Sequence, residues 1–173
     1  MSYDRQLERW TVHHRVGWLN PFFEGLSWIG GQGLVWLAIA LVLALWWRRP
    51  WLFLQIALAD FAGQMVSYGL KQALGRERPS EVYTTPKPLV RAPTDGSFPS
   101  GHATVSFACA TILAFYAPRA APAFFLLAAA IAWSRVYVGV HYPLDVLGGA
   151  VLGVAIALAL RVLVRREARR PGA

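Results

Sequence analysis

The feature of this sequence that most constrains its fold is a series of apolar blocks separated by short polar stretches. An α-helix rises about 1.5 Å per residue, so about 20 apolar residues cross the ~30 Å hydrocarbon core of a bilayer. Hydrophobic residues make up 56% of the 173 residues, and the chain contains eight Trp. Such a composition is too apolar for an ordinary soluble domain. The sequence therefore predicts an all-α, polytopic membrane helix bundle that forms a single domain.

We predict five spanning helices, or six if the N-terminal segment also crosses the bilayer. Trp residues lie at both ends of the first apolar block, which is typical of a spanning helix. Five prolines punctuate the one long irregular segment, residues 75–101, which we interpret as a site loop because candidate site residues lie at both of its ends. The predicted spans are residues 28–47, 51–74, 102–117, 120–138 and 143–164.

Residues 1–27 are predicted to form interfacial helices that lie on the membrane. Apolar Leu7 and Trp10 are interspersed with charged residues such as Asp4 and Glu8, which is the pattern of an amphipathic helix in the membrane surface. We therefore expect this segment to lie in the interface and not to cross the bilayer.

The net charge of +8 is carried by basic residues at the ends of the apolar blocks. Basic clusters in such positions face lipid headgroups, so anionic membrane lipids are the expected partners and nucleic acid is not. We expect the polybasic tail, residues 165–173, to lie beside anionic lipid. The single cysteine, Cys109, falls within an apolar block and is interpreted as a packing residue.

Five crossings place the polar loops on defined sides of the membrane. The N-terminal segment, residues 75–101 and residues 135–141 share one side, whereas Arg48, Arg49, Arg119 and the basic tail share the other. The second side carries more Lys and Arg close to span ends, so the positive-inside rule puts the tail in the cytoplasm. We therefore expect the polar loops to face the outside of the cell, which for a protein of the bacterial inner membrane is the periplasm.

Asp60 falls near the middle of the second predicted span, where a lone charged carboxylate is costly. It can serve as a proton or substrate relay. It can also be a protonated or hydrogen-bonded residue that locks helices together, and we favour this second interpretation.

Three polar stretches carry the candidate chemistry, at residues 71–79, 99–102 and 134–145. Lys71, Arg78 and Arg135 supply three cations, and Ser100 and Gly101 precede the first free N–H groups of a helix. Two planar guanidinium forks, a point charge and a positive helix end suit a multiply charged tetrahedral oxyanion. The expected ligand is a phosphate group.

Two histidines and one aspartate complete the candidate site. Asp145 lies in the first turn of the last helix and His141 just before it, so the carboxylate can orient the imidazole and leave its other nitrogen nucleophilic. His102 can then protonate the leaving oxygen and later accept a proton from water. The pattern predicts in-line phosphoryl transfer to His141 followed by hydrolysis.

Each residue also has a simpler interpretation. Lys71 alone can be a snorkelling lysine at a helix end, Arg78 and Arg135 can be interfacial anchors, and His102 can be a helix cap. Ser100 lacks the Gly-x-Ser-x-Gly pattern of a serine-hydrolase nucleophile. A metal held by His102, His141 and Asp145 would be opposed by the three nearby cations, so no metal and no cofactor are expected.

The three stretches resemble the signature of the type 2 phosphatidic acid phosphatase family, membrane relatives of the vanadium haloperoxidases. That signature is Lys-x6-Arg-Pro, then Pro-Ser-Gly-His, then Ser-Arg-x5-His-x3-Asp, and every fixed residue and interval is matched between Lys71 and Asp145. The resemblance implies a helical bundle and a metal-independent phosphatase. It also implies His141 as the nucleophile that forms a phosphohistidine, His102 as general acid, Asp145 as the residue that orients His141, and phosphate contacts from Lys71, Arg78, Ser100, Gly101 and Arg135.

Members of that family act on lipid phosphates such as undecaprenyl pyrophosphate, phosphatidylglycerol phosphate, phosphatidic acid and lipid A phosphates. The resemblance therefore implies an integral membrane lipid phosphate phosphatase. Two other classes of protein stay open at this stage: a non-enzymatic lipid-binding or transport bundle, and a haloperoxidase-like oxidant that uses bound vanadate.

Overall fold

The structure, a computed structural model, describes residues 2–167, and the regular elements in that range are all helices. The prediction for the basic tail therefore lies outside the described residues from residue 168 onward. Short 3-10 turns at Gly17–Leu19, Gly31–Gly33 and Pro118–Ala120 connect some of the helices. The α-helices are α1 (Tyr3–His13), α2 (Asn20–Ile29), α3 (Leu34–Trp46), α4 (Pro50–Leu74), α5 (Pro79–Val82), α6 (Gly101–Tyr116), α7 (Ala121–Tyr137) and α8 (Pro143–Glu167).

Helix α6 is the centre of the bundle and packs against α4, α7 and α8. Its residues from Ala103 to Leu113 are almost all buried, because apolar and small side chains cover its whole circumference. A helix that is apolar on every side is stable only where other helices surround it. The buried Trp36 of α3 donates from Nε1 to Oγ of Ser106 at 3.0 Å, so even the polar atoms of this core are paired.

Two of the described helical segments are long and apolar enough to cross a membrane, Pro118–Tyr137 and Pro143–Leu163. A third is added if α2 and α3, with the 3-10 turns beside them, form one broken span. Helix α4 is 25 residues long but carries Gln55, Asp60 and Gln64, and α6 has only 16 residues. The all-helical fold agrees with the prediction, whereas length and composition alone give two or three candidate spans among the described residues and not the predicted five.

The structure differs from the prediction at the first span, residues 28–47. The chain is bent by 65° between α2 and α3, so no single helix covers that range within the described residues. Gly33 has φ of +70°, and a Cβ there would lie 2.7 Å from Cγ of Asp60. The bend thus depends on a glycine whose backbone fits against the Asp60 carboxyl. Gln64 of the same helix donates to Oδ1 of Asp60 at 3.1 Å, so this carboxyl is hydrogen-bonded within α4. The close approach of Gly33 to Asp60 fits the interpretation of Asp60 as a residue that locks helices.

Helix α1 presents its acidic side to the protein. Asp4 and Glu8 are buried, whereas Leu7 and Trp10 are exposed. Residues four apart lie on one face of a helix, so the Asp4 and Glu8 side chains form a polar stripe that contacts α7 and α8. The apolar side is thereby free to face lipid. The polar side of α1, which the prediction placed in the membrane surface, instead contacts the rest of the protein.

Close packing of α6 on α8 depends on glycines of α8. A Cβ at Gly153 would lie 2.2 Å from the carbonyl oxygen of Thr104, and one at Gly149 would lie 2.6 Å from that of Ser100. Small residues spaced four apart allow two membrane helices to bring their backbones together. This contact holds the start of α6 beside the start of α8, where the candidate residues lie.

Candidate active site

Four helix ends converge at one end of the bundle. Helix α4 ends three residues after Lys71, α6 begins at Gly101, α7 ends two residues after Arg135, and α8 begins two residues before Asp145. Hydrogen bonds and ion pairs connect these ends to the intervening loops. The structure brings together all eight predicted site residues: Lys71, Arg78, Ser100, Gly101, His102, Arg135, His141 and Asp145.

The guanidinium of Arg78 lies completely buried in the middle of this region. Nε donates to the Asp95 carbonyl at 2.8 Å, and Nη1 donates to the Val140 carbonyl at 2.8 Å and approaches Nε2 of His141 at 3.3 Å. Nη2 donates to Oδ1 of Asp95 at 2.7 Å and to the Gly96 carbonyl at 3.2 Å. An arginine has five N–H donors, so every one of them has an acceptor here.

The ammonium group of Lys71 donates to Oδ2 of Asp95 at 2.7 Å. A single carboxylate therefore bridges Lys71 and Arg78, the two cations of the first polar stretch. Burial alone would raise the pKa of Asp95, but the hydrogen bonds and charges of Lys71 and Arg78 outweigh it and lower that pKa. Asp95 is therefore ionised at neutral pH.

His141 occupies a fully buried position surrounded by positive charge. A guanidinium can only donate, so the Nε2 atom that faces Arg78 is the unprotonated nitrogen of the ring. The pKa of His141 lies well below 6.5, first because burial disfavours the imidazolium and then because Arg78, Arg135 and Lys71 repel it. The ring is neutral at pH 7, and a lone pair on Nε2 is available for reaction.

Asp145 lies beside His141 but is bound mainly by other donors. Its Oδ2 is 3.4 Å from Nδ1 of His141, longer than an ordinary hydrogen bond, and accepts from the backbone N–H of Tyr142 at 2.8 Å. Its Oδ1 accepts from Nη1 of Arg76 at 2.5 Å. Asp145 thus lies next to His141, as predicted, but does not make an ordinary hydrogen bond to its ring. Tyr142 and Arg76 hold the carboxylate in place.

His102 and Arg135 are linked through Ser27 of α2. Nε2 of His102 lies 3.1 Å from the Ser27 carbonyl oxygen, and Nη1 of Arg135 donates to the Ser27 hydroxyl. A carbonyl can only accept, so Nε2 carries the hydrogen and Nδ1 is the free acceptor of a neutral His102 ring. Within residues 2–167, the buried Nε of Arg135 has no partner, which leaves this guanidinium with donor capacity.

The start of α6 provides further donors. Ser100 is buried, its N–H donates to the Asp145 carbonyl at 2.9 Å, and its Oγ lacks a partner in the described part of the chain. The first N–H groups of an α-helix have no acceptor within the helix. Gly101 opens that turn, and a Cβ there would lie 3.4 Å from Oγ of Ser67. Free donors at a positive helix end are suited to an anion.

A cleft of about 250 Å³ connects this region to the outside of the bundle. Lys71, Asp95 and His102 line its inner part, and Met65 and Tyr68 line its outer part on the exposed side of α4. In the part of the chain that the structure describes, no group of three His, Cys, Asp or Glu side chains is arranged to hold a metal ion. We call the buried region around Lys71, Arg78 and Arg135 the cationic chamber. The cleft leads from the apolar outer surface of α4 to Lys71, at the edge of this chamber.

The sequence prediction missed four residues that contact the site: Asp4, Ser27, Arg76 and Asp95. Asp95 stands before a glycine, a common turn pair, and Ser27 is a small polar residue in an apolar helix. The position of Arg76 between Lys71 and Arg78 was a usable signal. Asp4 and Ser27 belong to residues 1–27, for which the sequence predicts an interfacial position and no contact with the site.

Two solved structures have a similar fold. The Aquifex aeolicus protein LpxE superposes with a TM-score of 0.81 at 27% identity, and the match covers 94% of this chain and 96% of that one. The transmembrane PAP2-type phosphatidylglycerolphosphate phosphatase of Bacillus subtilis gives a TM-score of 0.76 at 26% identity, over 98% of this chain and 87% of that one.

Sequence comparison gives the same family. The decaprenylphosphoryl-5-phosphoribose phosphatase of Mycolicibacterium smegmatis is 37% identical over 129 residues, which are 73% of this chain and 68% of that relative. The fold, the cationic chamber and these relatives define a membrane lipid phosphatase. The model of the PAP2 superfamily matches residues 50–169, and the chain belongs to that superfamily. The resemblance found in the three polar stretches is thereby confirmed.

Proposed function

We propose that the protein hydrolyses a phosphomonoester or a pyrophosphate of a membrane lipid through a phosphohistidine on His141. The observation that carries this proposal is the unprotonated Nε2 of His141, which lies among the cations of Arg78, Arg135 and Lys71. A neutral, buried imidazole in a positive environment is matched to attack on a negatively charged phosphorus centre.

Binding uses the donors at the end of the bundle. The phosphate oxygens are held by Lys71, Arg78 and Arg135 and by the N–H groups at the start of α6, with Ser100 and Gly101 beside them. Arg135 and the N–H groups at the start of α6 are positioned before the substrate arrives, so these donors stabilise the charge of the transition state without rearranging. Two of the donors, Ser100 Oγ and Arg135 Nε, are buried and free among the described residues, which supports an anion as the ligand.

The reaction proceeds in two steps. First, Nδ1 of His102 takes up a proton as the anionic substrate binds beside it; the lone pair of His141 Nε2 then forms a bond to phosphorus, the bond from phosphorus to the leaving oxygen breaks, and the proton on Nδ1 of His102 passes to that oxygen. Second, water attacks the phosphohistidine while His102 accepts the proton of that water, and the bond from nitrogen to phosphorus breaks to release inorganic phosphate. Asp145 keeps Nδ1 of His141 protonated throughout.

The substrate enters from the lipid. We propose five crossings, formed by the bent pair α2 and α3 and by α4, α6, α7 and α8, with the site at the periplasmic boundary and the tail in the cytoplasm. The cleft past Met65 and Tyr68 then admits the headgroup while the acyl or prenyl chain stays in the bilayer. Prenyl pyrophosphates such as undecaprenyl pyrophosphate and phospholipid phosphates such as phosphatidylglycerol phosphate or phosphatidic acid fit this arrangement.

Release of inorganic phosphate from a panel of these lipids, measured with purified protein and EDTA in detergent, tests the proposal. We expect hydrolysis by the wild type in EDTA and none by His141→Ala, with His13→Ala as a matched control that keeps full activity. A His141→Ala protein that still releases phosphate would overturn the mechanism. A wild type that binds lipid phosphates without hydrolysing them would support a transport or binding bundle instead, and activation by vanadate in place of inhibition would indicate a haloperoxidase-like oxidant.

A further inference from the structure

The carboxylate of Asp95 occupies a position between two cations that the proposed reaction needs for the substrate. Its two oxygens accept from Arg78 and from Lys71, each at 2.7 Å. Two oxygens bridging a guanidinium and an ammonium reproduce the contacts that two oxygens of a phosphate would make. The bridge therefore resembles a bound ligand that is supplied by the chain itself.

Arg78 has no donor to spare while this bridge is present. Three of its N–H groups are bound to backbone carbonyls, those of Asp95, Val140 and Gly96. The two others face the Asp95 carboxylate and Nε2 of His141. A phosphate that His141 is to attack can accept a hydrogen bond from Arg78 only by replacing one of those two acceptors. Displacement of Nε2 would disturb the nucleophile, so the acceptor that moves is the Asp95 carboxylate.

The position of Asp95 allows its carboxylate to move away from Lys71 and Arg78. It belongs to the loop before α6, is followed by a glycine, and lines the cleft next to Lys71 with a side chain that is 26% exposed. A carboxylate at the wall of an open cleft can turn towards water, where its charge is well solvated. Lys71, which lines the cleft, and the buried Arg78 behind Asp95 would then each have a donor without an acceptor.

We propose that Asp95 is a specificity-determining residue of this site: its carboxylate stands in for the substrate's phosphate, and a ligand binds only if it displaces that carboxylate from Lys71 and Arg78. This inference rests on the proposed function. A ligand must then present more negative charge, or more acceptor oxygens, than the carboxylate that it replaces. Dianionic phosphomonoesters and pyrophosphates meet this condition, whereas singly charged phosphodiesters of intact phospholipids do not. Return of Asp95 after hydrolysis also helps to expel the product phosphate.

Affinity for inorganic phosphate tests the proposal. Asp95→Asn keeps the shape of the side chain and removes its charge, so we expect phosphate to inhibit hydrolysis at a concentration on the order of tenfold lower than in the wild type. The same variant is expected to show a lower KM and an unchanged or lower kcat, because product leaves more slowly. Asp95→Glu, which retains the carboxylate, is expected to stay close to the wild type.

Glu77→Gln is the matched control, because it removes one negative charge from an exposed side chain beside Arg78 in the same loop. It is expected to leave phosphate inhibition unchanged. Weaker or equal phosphate binding by Asp95→Asn would overturn the proposal and make Asp95 a residue that merely positions the two cations. An equal gain in Asp95→Glu would also overturn it, since charge would then not be the cause. If Asp95→Asn fails to fold, Asp95→Ser makes the same comparison.

Phosphate affinity is also read from the rise in unfolding temperature that phosphate causes, which needs no turnover. If the wild type hydrolyses no lipid phosphate but Asp95→Asn still gains phosphate affinity, the proposed function fails and the displacement of Asp95 stands. If the wild type hydrolyses lipid phosphates and Asp95→Asn shows no gain by either readout, only the displacement of Asp95 fails.

Discussion

Arg76 donates from Nη1 to Oδ1 of Asp145 and thereby holds the carboxylate beside His141 in place. Its Nη2 donates to Oδ2 of Asp4, and Oδ1 of Asp4 accepts from the backbone N–H of Leu144 at 2.8 Å. The N-terminal helix α1 is therefore connected by side chains to the first turn of α8. An element predicted to rest on the membrane surface supports the geometry of the candidate site.

Replacement of Arg76 is expected to slow hydrolysis. Arg76→Gln removes a charge-assisted hydrogen bond worth about 1.5–3 kcal/mol from Asp145, so kcat should fall about ten- to a hundredfold while KM changes little. Asp4→Asn, one contact further away, should have a smaller effect of the same kind. Steady-state kinetics on a short-chain lipid phosphate measure both parameters.

Arg91→Gln is the control for Arg76, because it removes an exposed arginine from the same loop. Its kinetics should match those of the wild type. A role for Arg76 in folding alone would lower the amount of active enzyme and the unfolding temperature and leave kcat per folded molecule unchanged, and that result would refute the positioning role.

The ring of His141 should resist protonation. Its pKa lies well below 6.5 because of burial and of the cations around it, so the neutral form persists as the pH falls. Since the unfolded chain takes up this proton first, the stability that depends on His141 decreases below pH 6.5. Lys71→Met removes one repelling charge and should raise the pKa of His141.

Histidine NMR on the detergent-solubilised protein measures that titration, because the chain has only four His. Lys87→Met, a change at an exposed lysine, should leave the His141 midpoint unaltered. A midpoint at or above 6.5 in the wild type would disprove the electrostatic environment described for this ring.

Helix packing near the site should be sensitive to one methyl group at Gly153. Its Cβ would lie 2.2 Å from the Thr104 carbonyl oxygen and 2.9 Å from the Ala108 nitrogen, both of them backbone atoms. Gly153→Ala should therefore destabilise the protein by about 1–3 kcal/mol and reduce activity by separating α6 from α8. Thermal unfolding in detergent measures the first effect. Gly69→Ala, where nothing lies within 4 Å, should be neutral or slightly stabilising, and equal losses in both variants would contradict this account.

Glu8 makes the stability depend on pH. Burial raises the pKa of its carboxyl to about 7, against the opposing charges of Arg9 and Arg15. Between the unfolded value of 4.5 and about 7 the folded chain keeps a proton that the unfolded chain has lost, so stability falls as pH rises through this window, by at most roughly 3 kcal/mol. Glu8→Gln should remove this fall and raise the unfolding temperature at about pH 8. Glu24→Gln in α2 should retain it, and a fall of the same size in Glu8→Gln would exclude Glu8 as its source.

The three polar stretches were predictable because membrane proteins seldom carry buried charge without a function. Arg78 and Arg135 stand at the ends of apolar blocks, and the number of crossings placed them on one side. Helix ends follow proline and glycine, so the beginnings of α4 and α8 at Pro50 and Pro143 were also close to their predicted positions.

Contacts between segments distant in sequence were not predictable in the same way. The side of α1 that faces the protein is set by Arg76 and Leu144, which bind Asp4, and no local pattern shows that partnership. The bend between α2 and α3 depends on the fit of Gly33 to Asp60, two residues that hydropathy alone does not connect. Asp95 reads as a turn residue until Lys71 and Arg78 are seen on either side of it.

The most direct test of the central claim is to identify the residue that carries the phosphoryl group during turnover. Rapid quenching of the enzyme with a lipid phosphate labelled in its phosphorus, followed by peptide mapping under alkaline conditions, measures this. The account predicts an acid-labile label on His141 that is absent from His141→Ala. A label on Ser100 or His102, or turnover without any labelled residue, would contradict it.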